Sequence, residues 1–240
     1  MNEQYTLIVP MINTSKRYES SVPIEFQYDN EYNKMNCIKS IEGINTDLFS
    51  SIYFVILEKH ERLYHISSKI ALDINNGTLK GIKYEFIFLK HPTSSQAETI
   101  YTAVTSCNIT GPIFINDTDN MCICDVNKIG NFVLVYPLEK TKIVDPQHKS
   151  YVNVDDQNFI INIIEKRIVS SYFNCGGYCF RSAEEFKNAY EALLKYEDIT
   201  SHMYISHIIY WMMLNKKIRF RPIEATYYDD FELKNIINEV

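Results

Sequence analysis

Glycine is scarce in this chain, with seven in 240 residues and none before Gly43. A glycine-rich loop near the N-terminus, of the kind that lets backbone N–H groups close on an anion, is therefore absent. An excess of basic residues is absent too. A formal charge of −6 and a pI near 5.6 leave no basic stripe for nucleic acid, so an anionic partner would need local positive groups or a divalent metal. Long apolar runs are missing: Met203–Leu214 is broken by Ser206 and His207 and falls short of the roughly 20 residues that cross a bilayer. The start, MNEQYTLIVPM, has no basic leader region and too short an apolar run for a signal peptide. The expectation is a soluble cytoplasmic protein with no membrane partner, its six cysteines reduced. Cys122 and Cys124, and Cys175 and Cys179, lack the repeated C-x₂-C spacing of a structural zinc site. N-x-S/T triplets at Asn13, Asn76, Asn108 and Asn116 carry no glycosylation meaning without secretion. No Pro/Gly/Ser linker, repeat or low-complexity tract divides the chain, so residues 1–240 are read as one domain.

What is present is apolar content, 46%, enough for a substantial core. It falls in short runs: Thr6–Pro10, Ile52–Glu58, Tyr84–Leu89, Pro112–Asn116 and Phe132–Tyr136. Such continuous runs suit strands buried on both faces of a parallel sheet. Helix-like segments lie between them, Ser95–Ser106 being one. The alternation predicts an α/β fold, a Rossmann-like three-layer α/β/α sandwich. Tyr151–Asp155 and Phe159–Lys166, separated by "DQN", read as a hairpin that makes the mostly parallel sheet mixed. From Ser182, "SAEEFKNAYEALLKY" opens with Ser182 and Glu185 at capping-box spacing and puts Phe186, Tyr190, Leu193 and Leu194 on one face. A second helix, Ser201–Asn215, places Ile205, Ile208, Ile209 and Met212 on one stripe. Its Trp211, Met212 and Met213 suit either the core or a homo-oligomer contact. His202 and His207 diverge around that helix and make a poor metal pair.

The run "IFINDTDN" ends in two carboxylates, Asp117 and Asp119, where a buried strand surfaces. A solvated turn is one reading. In an open α/β sheet, however, ligands bind beyond the carboxyl ends of strands. Two hard oxygen donors there suit Mg²⁺, which completes its shell with water and phosphate oxygens.

Read in order, the chain resembles the sugar-phosphate nucleotidyltransferases, most closely a bacterial group associated with capsule and surface polysaccharide. "LIVPMINTSKRY" is similar to the family's first strand and the basic-aromatic end of its loop, and puts Arg17 at the family's arginine. "PTSSQAETIYTAV" resembles the segment near the base, with Gln96. "NDTDN" resembles the stretch with the metal aspartate, Asp119, and Asp117 beside it. "IIEKRIVSSYFNCGGYCF" resembles the segment around the sugar, with Glu165, Lys166, Asn174, Gly177 and Tyr178. "YYDDFEL" resembles the segment with the second metal aspartate, for which Asp229 is the first choice and Asp230 the second.

The resemblance implies a GT-A-like fold and attack of a sugar phosphate on the α-phosphorus of a nucleoside triphosphate. It implies Mg²⁺ on Asp119 and Asp229, Arg17 on triphosphate oxygens, Glu165 on sugar hydroxyls and Lys166 on the sugar phosphate. The chain departs from the family in three places. Its loop, Ile12 to Lys16, has no glycine; Pro23 is followed by Ile24 where the family has a lysine; and the C-terminal block lacks the usual glycine and threonine. Two other readings stay open at this point. One is a catalytically silent relative that keeps a nucleotide or sugar pocket. The other is a glycosyltransferase using a nucleotide-sugar donor, with Asp117 and Asp119 as a D-x-D metal motif.

Overall fold

The structure, a computed structural model, describes residues 3–12, 22–29, 31–141, 145–196, 203–231 and 233. Its strands in chain order are β1 (Tyr5–Met11), β2 (Tyr28–Asp29), β3 (Lys34–Met35), β4 (Phe49–Leu57), β5 (Lys83–Leu89), β6 (Ile113–Asn116) and β7 (Asn120–Ile123). They continue as β8 (Phe132–Pro137), β9 (Ser150–Val154), β10 (Ile160–Glu165), β11 (Tyr172–Phe180), β12 (Arg221–Glu224) and β13 (Tyr227–Asp230). The helices are α1 (Asn36–Glu42), α2 (Glu58–Tyr64), α3 (Ile66–Asn76), α4 (Gln96–Ser106), α5 (Ala183–Leu193) and α6 (Ile205–Lys216).

Among the described residues one sheet has nine strands, in the order β10-β9-β11-β6-β1-β4-β5 with β8 and β12 branching from β11. β5, β4, β1 and β6 pair in parallel, and β12 pairs in parallel with β8. β11 is antiparallel to β6, β8 and β9, and β10 to β9, so β10 and β11 run against the rest. The fold is a mixed, mostly parallel α/β sandwich, as the apolar runs imply.

Alternation along the strands sorts side chains to two faces. From β1, Tyr5, Leu7, Val9 and Met11 join Ile52, Phe54 and Ile56 of β4 in one core with α1 and α3; Ile8 and Val55 join α4, α5 and α6 in the other. Phe114 of β6 is fully buried between Tyr5 and Phe49, edge to face, with ring centroids 5.9 and 5.5 Å away.

Helix ends follow their caps. Ser95 accepts from the Glu98 N–H to start α4, and Ser182 from the Glu185 N–H to start α5, where the capping-box spacing placed it. The last helix begins later than expected, at Ile205; residues 201 and 202, including His202, lie outside the described ones. Its first turn is closed by His207, whose Nδ1 accepts from the Tyr204 N–H at 3.4 Å. Ile205, Ile208, Ile209 and Met212 are buried, and Trp211 and Met213 pack against the same core. α2 and α3 are divided by His65 in the left-handed region (φ 51°), with Glu61 accepting from the Ser67 N–H and hydroxyl at 2.9 and 2.7 Å.

The feature that positions the site is β11. Along one edge it follows β8, but four steps on β11, Asn174 to Tyr178, oppose two on β8, Val135 to Val133. This bulge bends the strand. Along its other edge Gly177–Phe180 pair with β6 and Phe173 pairs with β9. The sheet therefore forks, and a cleft opens between the carboxyl end of β6 and the start of β9.

Candidate functional site

The cleft has a volume of about 160 Å³ and its lining includes Gln96, Asp117, Asp119, Lys149, Glu165 and Tyr178. β6 delivers the first carboxylates. Past Asn116 its pairing continues through one bond, Asp117 N–H to the Gly176 carbonyl at 2.8 Å. Gly176 has φ +90°, and a Cβ there would stand 2.7 Å from Asn120 Nδ2 and 2.8 Å from Asp117 Cβ, so only glycine lets Asp117 lie on the bulge. Asn174 holds the bulge from within, accepting from the Gly176 N–H at 2.9 Å and donating to Ser150 Oγ at 3.2 Å.

Gln96, in the first turn of α4, donates from Nε2 to Asp117 Oδ1. Burial, then the nearby charge of Asp119, push the Asp117 carboxyl up to about 7, with the Gln96 bond pulling the other way. Asp119 points elsewhere: its Oδ1 accepts from Asn120 Nδ2 at 2.8 Å, and its carbonyl accepts from the Phe231 N–H at 3.0 Å.

That last bond belongs to the ribbon of β7 and β13, in which Asp230 faces Asn120 and Asp229 faces Met121. Neighbouring residues of a strand point to opposite faces. Asp230 turns to the cleft side, its Oδ2 lying 3.0 Å from Lys149 Nζ and accepting from the Tyr228 hydroxyl at 3.1 Å. Asp229 turns the other way, 3.5 Å from Lys39 Nζ, which also binds Asp29 at 2.7 Å. The aspartate that β13 brings beside Asp119 is thus Asp230, the second choice from the sequence.

Glu165 closes β10, and its Oε2 accepts from Ser206 Oγ of α6 at 2.9 Å. Burial raises its pKa, against the Ser206 bond and the charge of Lys166. Lys166 itself turns out of the cleft, with φ 55° and its Nζ donating to Tyr204 Oη at 2.7 Å. The cleft's ammonium is Lys149. Burial would lower its pKa, but Asp119 and Asp230, followed by Asp117, outweigh burial and raise it. Gly177 does not line the cleft: it faces Asn116 across the ladder, and a Cβ there would meet Leu134 at 2.2 Å. Ile24, where the family pattern has lysine, is 2% exposed and turned inward. Arg17 lies outside the described residues.

Asp119 and Asp230 offer the hard oxygens that Mg²⁺ takes one or two at a time. Among the described residues no group of three or more His, Cys, Asp or Glu could hold a metal. Two carboxylates are too few for a closed structural site, and a metal there would have to draw the rest of its shell from water and phosphate.

No protein-family model and no curated protein sequence matches the chain. Solved structures do. The nucleoside-diphosphate-sugar pyrophosphorylase from Vibrio cholerae RC9 superposes with a TM-score of 0.77 at 15% identity over 98% of each chain. The fold is that of nucleotidyltransferases. The inositol-1-phosphate CTP transferase from T. maritima gives 0.70 at 14% over 99% of this chain and 98% of that one. UDP-glucose pyrophosphorylase complexed with UDP-glucose gives 0.69 at 12% over 98% and 99%. None of the described helices is long and apolar enough to cross a membrane.

Of the residues singled out from the sequence, Gln96, Asp117, Asp119, Glu165, Asn174 and Tyr178 meet in one cleft. Lys149, Ser150, Asn120 and Gly176 were not singled out. The hairpin held a signal for two of them: pairing Glu165 with Ser150 across "DQN" puts the start of β9, and so Lys149, beside Glu165.

Proposed function

We propose that the chain is a sugar-phosphate nucleotidyltransferase that makes a nucleotide-sugar and pyrophosphate. The observation that carries the reading is the meeting of Asp117 and Asp119, past the carboxyl end of β6, with Lys149, which precedes β9 and is paired with Asp230 of β13, next to a wall formed by Glu165 and Tyr178. Three carboxylates around one ammonium leave the floor short of positive charge, as a floor meant for a metal and its phosphates would be. The nucleotidyltransferase fold and the order of motifs along the chain support the same reading.

In this reaction an oxygen of the sugar phosphate forms a bond to the α-phosphorus, the bond to the β-phosphate breaks, and pyrophosphate leaves. The protein must hold two anions in line and offset their charge. Mg²⁺ held by Asp119 and Asp230 would supply that offset. Glu165, half-buried and fixed by Ser206, accepts hydrogen bonds from sugar hydroxyls. Gln96 sits at the end of the cleft assigned to the nucleotide, and its bond to Asp117 fixes that carboxyl's orientation. Arg17, outside the described residues, would take triphosphate oxygens through its planar fork. The setting proposed is the cytoplasm, with the product destined for surface polysaccharide.

Incubation with Mg²⁺, a panel of nucleoside triphosphates and a panel of sugar phosphates should release pyrophosphate. Release from no pair in a broad panel overturns the reading. A silent relative that binds without turnover is the second reading, favoured by the glycine-free loop and by the inward-turned Ile24. The D-x-D glycosyltransferase reading is disfavoured, because Gln96 donates to Asp117 Oδ1 and holds that carboxyl away from Asp119.

A further inference from the structure

Lys149 is the cleft's ammonium, and neither the motif order nor the reaction above gives it a chemical role. It immediately precedes β9 at the fork, and its carbonyl accepts from the Lys166 N–H at 2.9 Å, which ties it to the end of β10. Its side chain is 15% exposed and that of its partner Asp230 is 9% exposed, with Nζ and Oδ2 3.0 Å apart. The ammonium also stands 5.4 Å from the centroid of the Tyr228 ring, whose hydroxyl donates to the same Asp230 oxygen. Lys149 is therefore held by an ion pair and an aromatic face, in the field of the two carboxylates best suited to a divalent cation.

Two cations cannot share that field in a poorly solvated cleft without strong repulsion. We propose that Lys149, paired with Asp230 on the side of Asp119, is a resident counter-ion that holds the cation seat of the free protein, and that divalent metal enters when an incoming phosphate draws the ammonium away. The proposal rests on reading this cleft as the cation and phosphate site. A lysine suits the role better than an arginine: it is a compact charge on a flexible four-carbon stem with three rotatable donors, able to leave one oxygen for another. Metal and phosphate binding are then coupled, each strengthening the other by the same factor. Metal alone binds weakly, which spares the carboxylates from capture by free cations.

The experiment is titration of the full chain with Mn²⁺ alone, followed by the paramagnetic signal of free Mn²⁺. Lys149→Met should tighten Mn²⁺ binding at least fivefold over wild type. Lys140→Met, which makes the same change in net charge at an exposed pair with Glu224, should stay within twofold of wild type. Lys149→Gln, which keeps a polar head for Asp230 to bond, should tighten binding in the same direction and serves if the Met variant fails to fold. Unchanged or weaker binding in a folded Lys149 variant, or equal tightening by Lys140→Met, overturns the proposal. No turnover is involved, so the two readings separate. Pyrophosphate release without an effect of Lys149→Met keeps the reaction and removes this role; the converse keeps the role and removes the reaction.

Discussion

Asp117 carries the largest electrostatic strain among the cleft carboxylates. It is boxed in by Gln96 on one oxygen and by the Cα of Gly176 behind. Because burial raises its carboxyl from 3.8 to about 7, the folded chain holds a proton there between those pH values while the unfolded chain has lost it. Stability from this group is therefore fully present below pH 3.8, falls as pH rises toward 7, and is level above that. The interval corresponds to at most about 4 kcal/mol, reduced where the proton is shared with Asp119. Asp117→Asn should raise stability at pH 8 by a large part of that amount and leave it nearly unchanged at pH 4, as urea denaturation of both chains at the two pH values will show. An equal gain at both would mean that the proton is not held there. At this scale the sequence was informative where a strand end exposes charge, as at Asp117 and Asp119. It was silent between Asp229 and Asp230, because a slip of one residue in the β7–β13 register exchanges which of them faces the cleft, and no side chain in "YYDDFEL" records that register.

At the scale of elements the bulge in β11 sets the geometry of the cleft. Gly176→Ala puts a methyl group at φ +90° and within 3.0 Å of Asp117 and Asn120. Strain in the backbone alone is of order 1–3 kcal/mol, and the crowding adds to it. Urea denaturation should show a loss of at least about 2 kcal/mol, and a loss below about 0.5 would mean that the bulge relaxes freely. The legibility of elements followed their burial. β1, β4, β6 and β8 are apolar on both faces and were found within a few residues of their ends. β11, the strand on which the site depends, was read as a binding segment because its glycine pair and polar residues interrupt any apolar run. α1, α2 and α3 were not delimited. α1 and α2 are seven residues each, less than two turns, and the break at His65 is marked by neither glycine nor proline. The Ser182 cap succeeded because capping is local chemistry that three residues can declare.

For the whole molecule, the order of motifs identified the fold, while identity of base and sugar depends on pocket contacts that no spacing encodes. Binding is testable apart from turnover. Mg²⁺ with a nucleoside triphosphate at 100 times its dissociation constant should stabilise the folded chain by about 2.7 kcal/mol, seen as a higher melting temperature. No shift across the triphosphate panel would count against both the active enzyme and the silent relative. The fork has a further effect on how the chain fails. Among the described residues β9 meets β11 through one register pair, Tyr151 with Phe173, so warming that loosens this seam would separate Asp117 from Lys149 and Glu165 while α6 still packs on β10. Grip on ligand should then vanish several degrees before circular dichroism registers any loss, so that the protein's working temperature is set by one seam within its core.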